Sequence, residues 1–237
     1  KELVENSIDS GATEIQLYIQ EAGKTLIHVI DNGCGMSYND VEKCFERHAT
    51  SKIKKTEDLF EIHTMGFRGE AMASIASISH VELETKLHDQ ELGTKIILKG
   101  GELINKEQHS CSNGTSIKIK NLFFNIPARR KFLKSDKVEM RHISEEFNRI
   151  ALAYPACKMQ FFHNKKEILF LRENNCRQRI VNVIGLKSNE YLVPVNEETS
   201  LVNLSGFVCK PEYAKKTRGE QYIFVNNRFI KNYHIQS

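Results

Sequence analysis

At 237 residues, with 40% hydrophobic and 27% charged side chains, the chain has the composition of an ordinary globular protein and room for one large domain or two modest ones. No apolar run is long enough to span a bilayer, and the opening Lys1-Glu2-Leu3-Val4-Glu5-Asn6 is unlike a signal peptide. Residues 1–124 carry 14 Lys and Arg against 19 Asp and Glu, and residues 125–237 carry 20 against 11, so a net −5 precedes a net +9. The basic half points to a nucleic-acid partner, with plain surface solvation as the alternative.

The cysteines Cys34, Cys44, Cys111, Cys157, Cys176 and Cys209 are scattered, none with the close spacing of a zinc or thioredoxin-type motif. A disulfide framework does not suit a chain of this length without an export signal, which predicts a reducing intracellular compartment. Lys1–Ser10 reads as a helix with no capping signal ahead of it, so the chain's true N-terminus is expected upstream. On a helix turning about 100° per residue, Glu2, Asn6 and Asp9 fall within roughly 60° of one another, opposite Leu3, Val4 and Ile8. A carboxylate on such a face can orient and deprotonate water, and an amide oxygen one turn on can ligate Mg²⁺. An ordinary amphipathic helix gives the same pattern.

Glu14–Gln20 alternates as a strand and Thr25–Ile30 follows across a turn, predicting a hairpin. Directly after it, Asp31-Asn32-Gly33-Cys34-Gly35-Met36 offers a carboxylate that can accept from an exocyclic amine such as adenine's. Gly33 and Gly35 would let the backbone approach a flat base; a tight Asn-Gly turn is the alternative. Asn39–Glu46 reads as a helix. Gly66-Phe67-Arg68-Gly69-Glu70 then opens a helix over Glu70–Ser77, leaving backbone N–H groups free for phosphate oxygens, with Glu70 as either a cap or an electrostatic group. It is neither a Walker A loop nor a dinucleotide fingerprint.

Strands are predicted at Val81–Thr85, Lys95–Leu98, Leu103–Glu107 and Gly114–Lys120, the last placing the Thr115 hydroxyl near a bound nucleotide. Antiparallel strands with helices on one face predict an α+β sandwich. Pro127 marks an expected division into residues 1–126 and 127–237. Beyond it come a helix over Val138–Tyr154 with an Ile143, Phe147, Ile150, Tyr154 stripe, strands at Met159–His163 and Glu167–Leu171, a helix at Cys176–Ile184, and strands at Leu201–Cys209 and Gln221–Asn226. Arg129, Arg130, Lys131 and Lys134 form one basic cluster and Lys215, Lys216, Arg218, Arg228 and Lys231 another. Either could meet DNA phosphates without reading bases. Part of the first cluster could instead anchor an interdomain joint.

Taken in order, Glu2-x-x-x-Asn6, Asp31-x-Gly33-x-Gly35, Gly66–Ala71 and Gly114-Thr115 resemble the four motifs of the GHKL ATPase superfamily. Within it, KELVENSIDSGAT, DNGCGM, RHATSKI, GFRGEAMASI and PARRKFLK resemble the MutL-type DNA mismatch-repair proteins, and the RHATSKI and PARRKFLK strings resemble bacterial members. The resemblance implies a GHKL (Bergerat) ATP-binding α/β sandwich at 1–126 and a smaller, incomplete ribosomal-protein-like transducer domain at 127–237. It implies that ATP and Mg²⁺ are bound, with Glu2 as general base, Asn6 as Mg²⁺ ligand, Asp31 and Thr115 reading adenine, and Met36 beside them. Gly66, Phe67, Arg68, Gly69 and Glu70 would surround the triphosphate, and Thr50, Ser51 and Lys52 would belong to a lid.

The resemblance further implies a slow Mg-dependent ATPase whose ATP binding drives homodimerisation into a DNA clamp. It would work with a mismatch-sensor protein and a downstream nuclease or helicase, in the bacterial cytoplasm at the nucleoid, or in the nucleus of a eukaryote. The family's N-terminal arm and its γ-phosphate lysine are expected outside this chain, so it is expected to bind nucleotide yet hydrolyse it poorly. The alternatives are a non-hydrolytic, nucleotide-gated DNA-tethering module, a type II topoisomerase ATPase region and a heat-shock chaperone.

Overall fold

The computed structural model describes residues 1–46, 69–214 and 219–231. Helix α1 (Glu2–Asp9) leads into the antiparallel pair β1 (Glu14–Gln20) and β2 (Leu26–Asp31). The short helix α2 (Asp40–Lys43) and helix α3 (Ala71–Ser77) come before β3 (His80–Lys86), β4 (Gly93–Lys99), β5 (Glu102–His109) and β6 (Gly114–Lys120). Helices α4 (Pro127–Lys131) and α5 (Asp136–Ala153) then return the chain to β7 (Lys158–His163), β8 (Lys166–Leu171) and helix α6 (Cys176–Ile184).

These eight strands form one mixed sheet in the order β5-β4-β3-β6-β2-β1-β7-β8. Alternation along each strand makes it one-sided: Ile15, Leu17 and Ile19 of β1 are buried while Gln16 and Tyr18 face the other way. Val81, Leu83, Ile96, Ile117, Met159 and Phe161 extend the buried face, and Val4, Ala76, Phe147 and Ile150 bring α1, α3 and α5 into the same core. The opposite face is polar, with Glu82 accepting from Lys118 at 2.7 Å and Lys120 at 2.6 Å. The expected α+β sandwich is thus the observed architecture, although not all its strands are antiparallel.

The division expected between residues 126 and 127 is not a break in the sheet. β7 lies parallel to β1, with Ile15 opposite Met159 and Leu17 opposite Phe161, so the chain through β8 belongs to the first body. Pro127 opens α4 rather than ending structure, because the first helical position needs no N–H and suits proline's fixed φ. Arg179 of α6 is fully buried and ties this segment together. Its guanidinium donates to the carbonyls of Pro155 and Cys157 at 2.7 Å each and of Arg172 at 3.1 Å. The main sheet ends there. β9 (Leu192–Glu198) and β10 (Asn203–Cys209) pair separately, and β11 (Phe224–Val225) and β12 (Arg228–Phe229) make a tight hairpin. β9 has no counterpart among the expected strands; Pro194 within it is tolerated in a two-stranded sheet, where one edge of each strand is free. The strand expected over Gln221–Asn226 shrinks to Phe224–Val225.

Candidate active site

On α1, Val4 is buried and Leu3 and Ile8 pack against the core, so the opposite face carrying Glu2, Asn6 and Asp9 lines a cavity of about 870 Å³. The helix also buries two polar side chains on neither expected face, Glu5 and Ser7. Burial pushes the Glu5 carboxyl above its usual range, opposed by the Lys1 ammonium 3.7 Å away. Glu2 keeps about half of its side chain in solvent, at 48% exposure.

The end of β2 supplies Asp31, which is buried at 8% exposure. Its Oδ2 accepts from the Ser7 hydroxyl at 2.7 Å and its Oδ1 from the Gly33 N–H at 3.0 Å. Burial raises this carboxyl above the usual aspartate value, while the Ser7, Gly33 and Thr115 hydrogen bonds pull the other way. Asp31 and Thr115 are directly opposed in the β2–β6 register, so the sheet itself brings two residues 84 positions apart to one wall. Beside them Thr85, fully buried, donates to the Gly114 carbonyl at 2.9 Å and accepts from the Met36 N–H at 3.0 Å. Ser7 and Thr85 were not singled out from sequence. The available signal was a lone small hydroxyl at an otherwise apolar, inward position.

The two glycines after Asp31 have different reasons. A Cβ on Gly33 would lie 1.9 Å from the Ser10 hydroxyl, so that glycine admits the end of α1. Gly35 does line the cavity; it sits at φ +71°, and a Cβ there would meet the Lys86 carbonyl at 2.2 Å. Asn32 braces the loop by accepting from the Thr13 and Glu14 N–H groups at 2.9 Å.

Met36, Gly69, Glu70 and Thr115 complete the cavity wall opposite α1. Glu70 stands at the N-cap of α3, yet its side chain makes no capping hydrogen bond, which removes the cap as its role. The expected phosphate-loop residues Gly66, Phe67 and Arg68 and the lid residues Thr50, Ser51 and Lys52 lie outside the described residues, as do Lys215, Lys216 and Arg218. Arg129, Arg130 and Lys131 are exposed on α4, beside Phe132 at 85% exposure, and Lys231 is exposed as well. Arg228 is placed elsewhere: it lines the cavity, not an outer basic surface. Among the described residues no three His, Cys, Asp or Glu side chains cluster to hold a metal unaided. No helix among them is long and apolar enough to cross a membrane.

Residues 1–125 match the family described as histidine kinase-, DNA gyrase B-, and HSP90-like ATPase, and residues 180–237 match the DNA mismatch repair protein, C-terminal domain. The chain is 57% identical over 232 residues to the DNA mismatch repair protein MutL of Flavobacterium psychrophilum, covering 98% of this chain and 38% of that protein. It is 52% identical to the MutL of Parabacteroides distasonis, with the same coverage. Its fold is similar to that of the Aquifex aeolicus MutL ATPase domain complexed with ADP, at a TM-score of 0.76 and 29% identity over 99% of this chain and 82% of that one. The N-terminal domain of a DNA repair protein superposes at a TM-score of 0.80 with 25% identity, covering 98% of this chain and 73% of the other. The chain thus spans less than two fifths of the length of the curated relatives it matches.

Proposed function

The chain belongs to the MutL DNA mismatch-repair proteins, within the histidine kinase-, gyrase B- and HSP90-like ATPases, and on that footing we propose that it binds and hydrolyses ATP to close a clamp on DNA. The observation that carries this reading is Asp31, a buried carboxylate anchored by Ser7 and Gly33 on the wall of a cavity large enough for a nucleotide. Fixed there, it would accept from the adenine amino group, with Thr115 alongside. Met36 and Gly35 would pack against the base.

At the other end Glu2 would orient and deprotonate the attacking water. Asn6 lines the same cavity, with Asp9 one turn on, and would offer its amide oxygen there. That sparse oxygen set fits Mg²⁺, which takes hard ligands and keeps waters and phosphate oxygens in its shell. When bound, the ion would neutralise phosphate charge. Gly69 and Glu70, with Gly66, Phe67 and Arg68, would enclose the phosphates, and Thr50, Ser51 and Lys52 would close over them. Phosphate contacts from Arg129, Arg130 and Lys131, and from Lys215, Lys216, Arg218 and Lys231, would hold DNA without sequence preference.

ATP occupancy would drive pairing of two copies in the bacterial cytoplasm, where a mismatch-sensor protein and a nuclease or helicase act before and after it. The divisions at 1–126 and 127–237 give way in this reading to a nucleotide-binding body through α6 and a transducer beyond it. The openness of Glu2 favours a second reading, in which occupancy alone tethers DNA and hydrolysis is incidental. Topoisomerase and chaperone readings lose to mismatch-repair relatives at 57% identity over nearly the whole chain. The test is sedimentation of the protein with a non-hydrolysable ATP analogue, with ADP and with no nucleotide. A nucleotide-dependent dimer is expected with the analogue, and a monomer in all three conditions refutes the clamp.

A further inference from the structure

The main sheet ends on β8, whose outer edge pairs with no other strand among the described residues. Such an edge presents a row of unpaired N–H and C=O groups, which most folds blunt with charge or cover. Here two of the exposed side chains along it are apolar, Ile168 at 48% exposure and Phe170 at 40%. Pairing with β7 skips Ile168 in a bulge, after which Leu169, Phe170 and Leu171 run in register against Phe161, Gln160 and Met159. The second half of β8 thus keeps a regular ladder on one side and an open one on the other.

At the end of that run lies a second cavity, of about 300 Å³. It is lined by Phe170 and Arg172 from the strand end, Val181 and Asn182 of α6, and Gly185 and Leu186 just beyond the helix. That volume is at the lower end of ligand-pocket sizes and has room for a side chain or two. Leu186 stands at 80% exposure, and a Cβ added to Gly185 would meet nothing within 4 Å, so space is open beside the strand end. This cavity and the one beside α1 share no lining residue.

The surroundings are cationic. Residues 158–187 carry seven Lys and Arg against two Glu, and of the seven only Arg179 is buried. The Arg172 guanidinium stands 5.6 Å and the Lys158 ammonium 5.8 Å from the centre of the Phe170 ring. Lys158 also donates to Glu14 at 2.8 Å, which shows that a carboxylate is accommodated on this face. DNA phosphates would match the charges, but not an open backbone ladder or a cavity walled by Phe170, Val181 and Leu186. A peptide strand matches all three, with its backbone on the edge, an apolar side chain in the cavity and carboxylates towards the cations.

We propose that the β8 edge docks an extended acidic segment of a partner protein, which adds to the sheet as a further strand and seats one apolar side chain in the cavity beside α6. The site goes beyond the nucleotide-driven function proposed above and does not depend on it. Main-chain pairing along Leu169–Leu171 supplies affinity, and the cavity and Arg172 supply selection for an apolar residue flanked by acids.

The probe is a fluorescein-labelled synthetic peptide in which Glu alternates with Leu and Phe, titrated with the protein by fluorescence anisotropy. Saturable binding is expected, with roughly tenfold weakening in Arg172→Glu and in Leu186→Asp. Both side chains are exposed, so each variant's melting temperature should match wild type. An added strand bonds the edge through one alternate set of its amides, so N-methylation of that set should abolish binding to wild type and N-methylation of the other set should spare it. Lys in place of Glu in the peptide should also abolish binding, and hydrogen exchange at residues 168–172 should slow with the acidic peptide. No saturable binding of that peptide overturns the proposal, and so does equal binding of both N-methylated forms, which reduces the site to charge alone. Displacement of the peptide by a short DNA duplex, or a dimer of the protein alone that Ile168→Lys dissociates, assigns the edge to DNA or to a second copy and overturns it as well.

Discussion

At one end of the cavity Asp31, Ser7, Thr85 and Thr115 are joined by hydrogen bonds, and three of the four are buried; at the other, Glu2 and Glu70 are exposed. The first end is made from strand termini inside the sheet and from the inward side of α1, so folding alone sets its geometry. The second is gathered from the start of α1, the start of α3 and a hairpin outside the main sheet. In the proposed function, a preorganised recognition end and a loosely held reacting end would suit a nucleotide switch. Binding specificity can be fixed in advance, while the reacting geometry answers to what is bound.

Variants separate the two ends. Glu2→Gln should lower ATP turnover by about 10²–10⁴-fold, the usual worth of a general base, with nucleotide affinity nearly unchanged. Steady-state hydrolysis beside equilibrium binding would show it. Intact mismatch repair in cells carrying this variant would instead favour occupancy without hydrolysis. Asp31→Asn replaces an acceptor-only carboxylate by an amide and should weaken ATP and adenosine alike by roughly 10–100-fold, the worth of a hydrogen bond to a charged group. If only ATP weakened, Asp31 would belong to the phosphate end and the contrast would collapse.

Thr85→Val keeps shape but leaves the Met36 N–H without its acceptor, costing about 1–3 kcal/mol in chemical denaturation. It should disturb adenine recognition more than turnover.

The smallest effect concerns the sheet's outer face. His28 is held down to about 4 by burial and then by Lys118, against Glu82 and Glu84, and its ring nitrogen meets the Ser116 hydroxyl at 2.9 Å. Because the folded state binds that proton less readily than the unfolded chain, the contribution is complete above about pH 6.5 and is lost as pH falls towards 4. His28→Gln, which retains a hydrogen-bonding group, should flatten the melting temperature across that window. Glu82 is held down to about 2 by Lys118 and Lys120, so its contribution fades in a lower window, from about 4.5 to 2.

How much of this could be read from the chain depends on the range over which each feature is decided. The α1 face, the β1–β2 hairpin and the Asp31 loop were legible because each rests on the local spacing of neighbouring residues. The division expected at residue 126 rests on a proline and a basic run, local signals that say nothing about the pairing of β7 with β1 across some 140 residues. A glycine in a loop does not name what approaches it, and only the packed end of α1 reveals Ser10 beside Gly33.

By itself the sequence determined the periodicities, the motif order and the family resemblance, all properties of short stretches read in order. Tertiary structure alone decided that Ser7 braces Asp31, that Thr85 ties Met36 to Gly114, and that Arg228 lines the cavity beside α1. The reason is physical. A buried hydrogen bond or a cavity wall is a relation between segments distant along the chain, and it exists only once the sheet has set their register and the core has expelled the water between them.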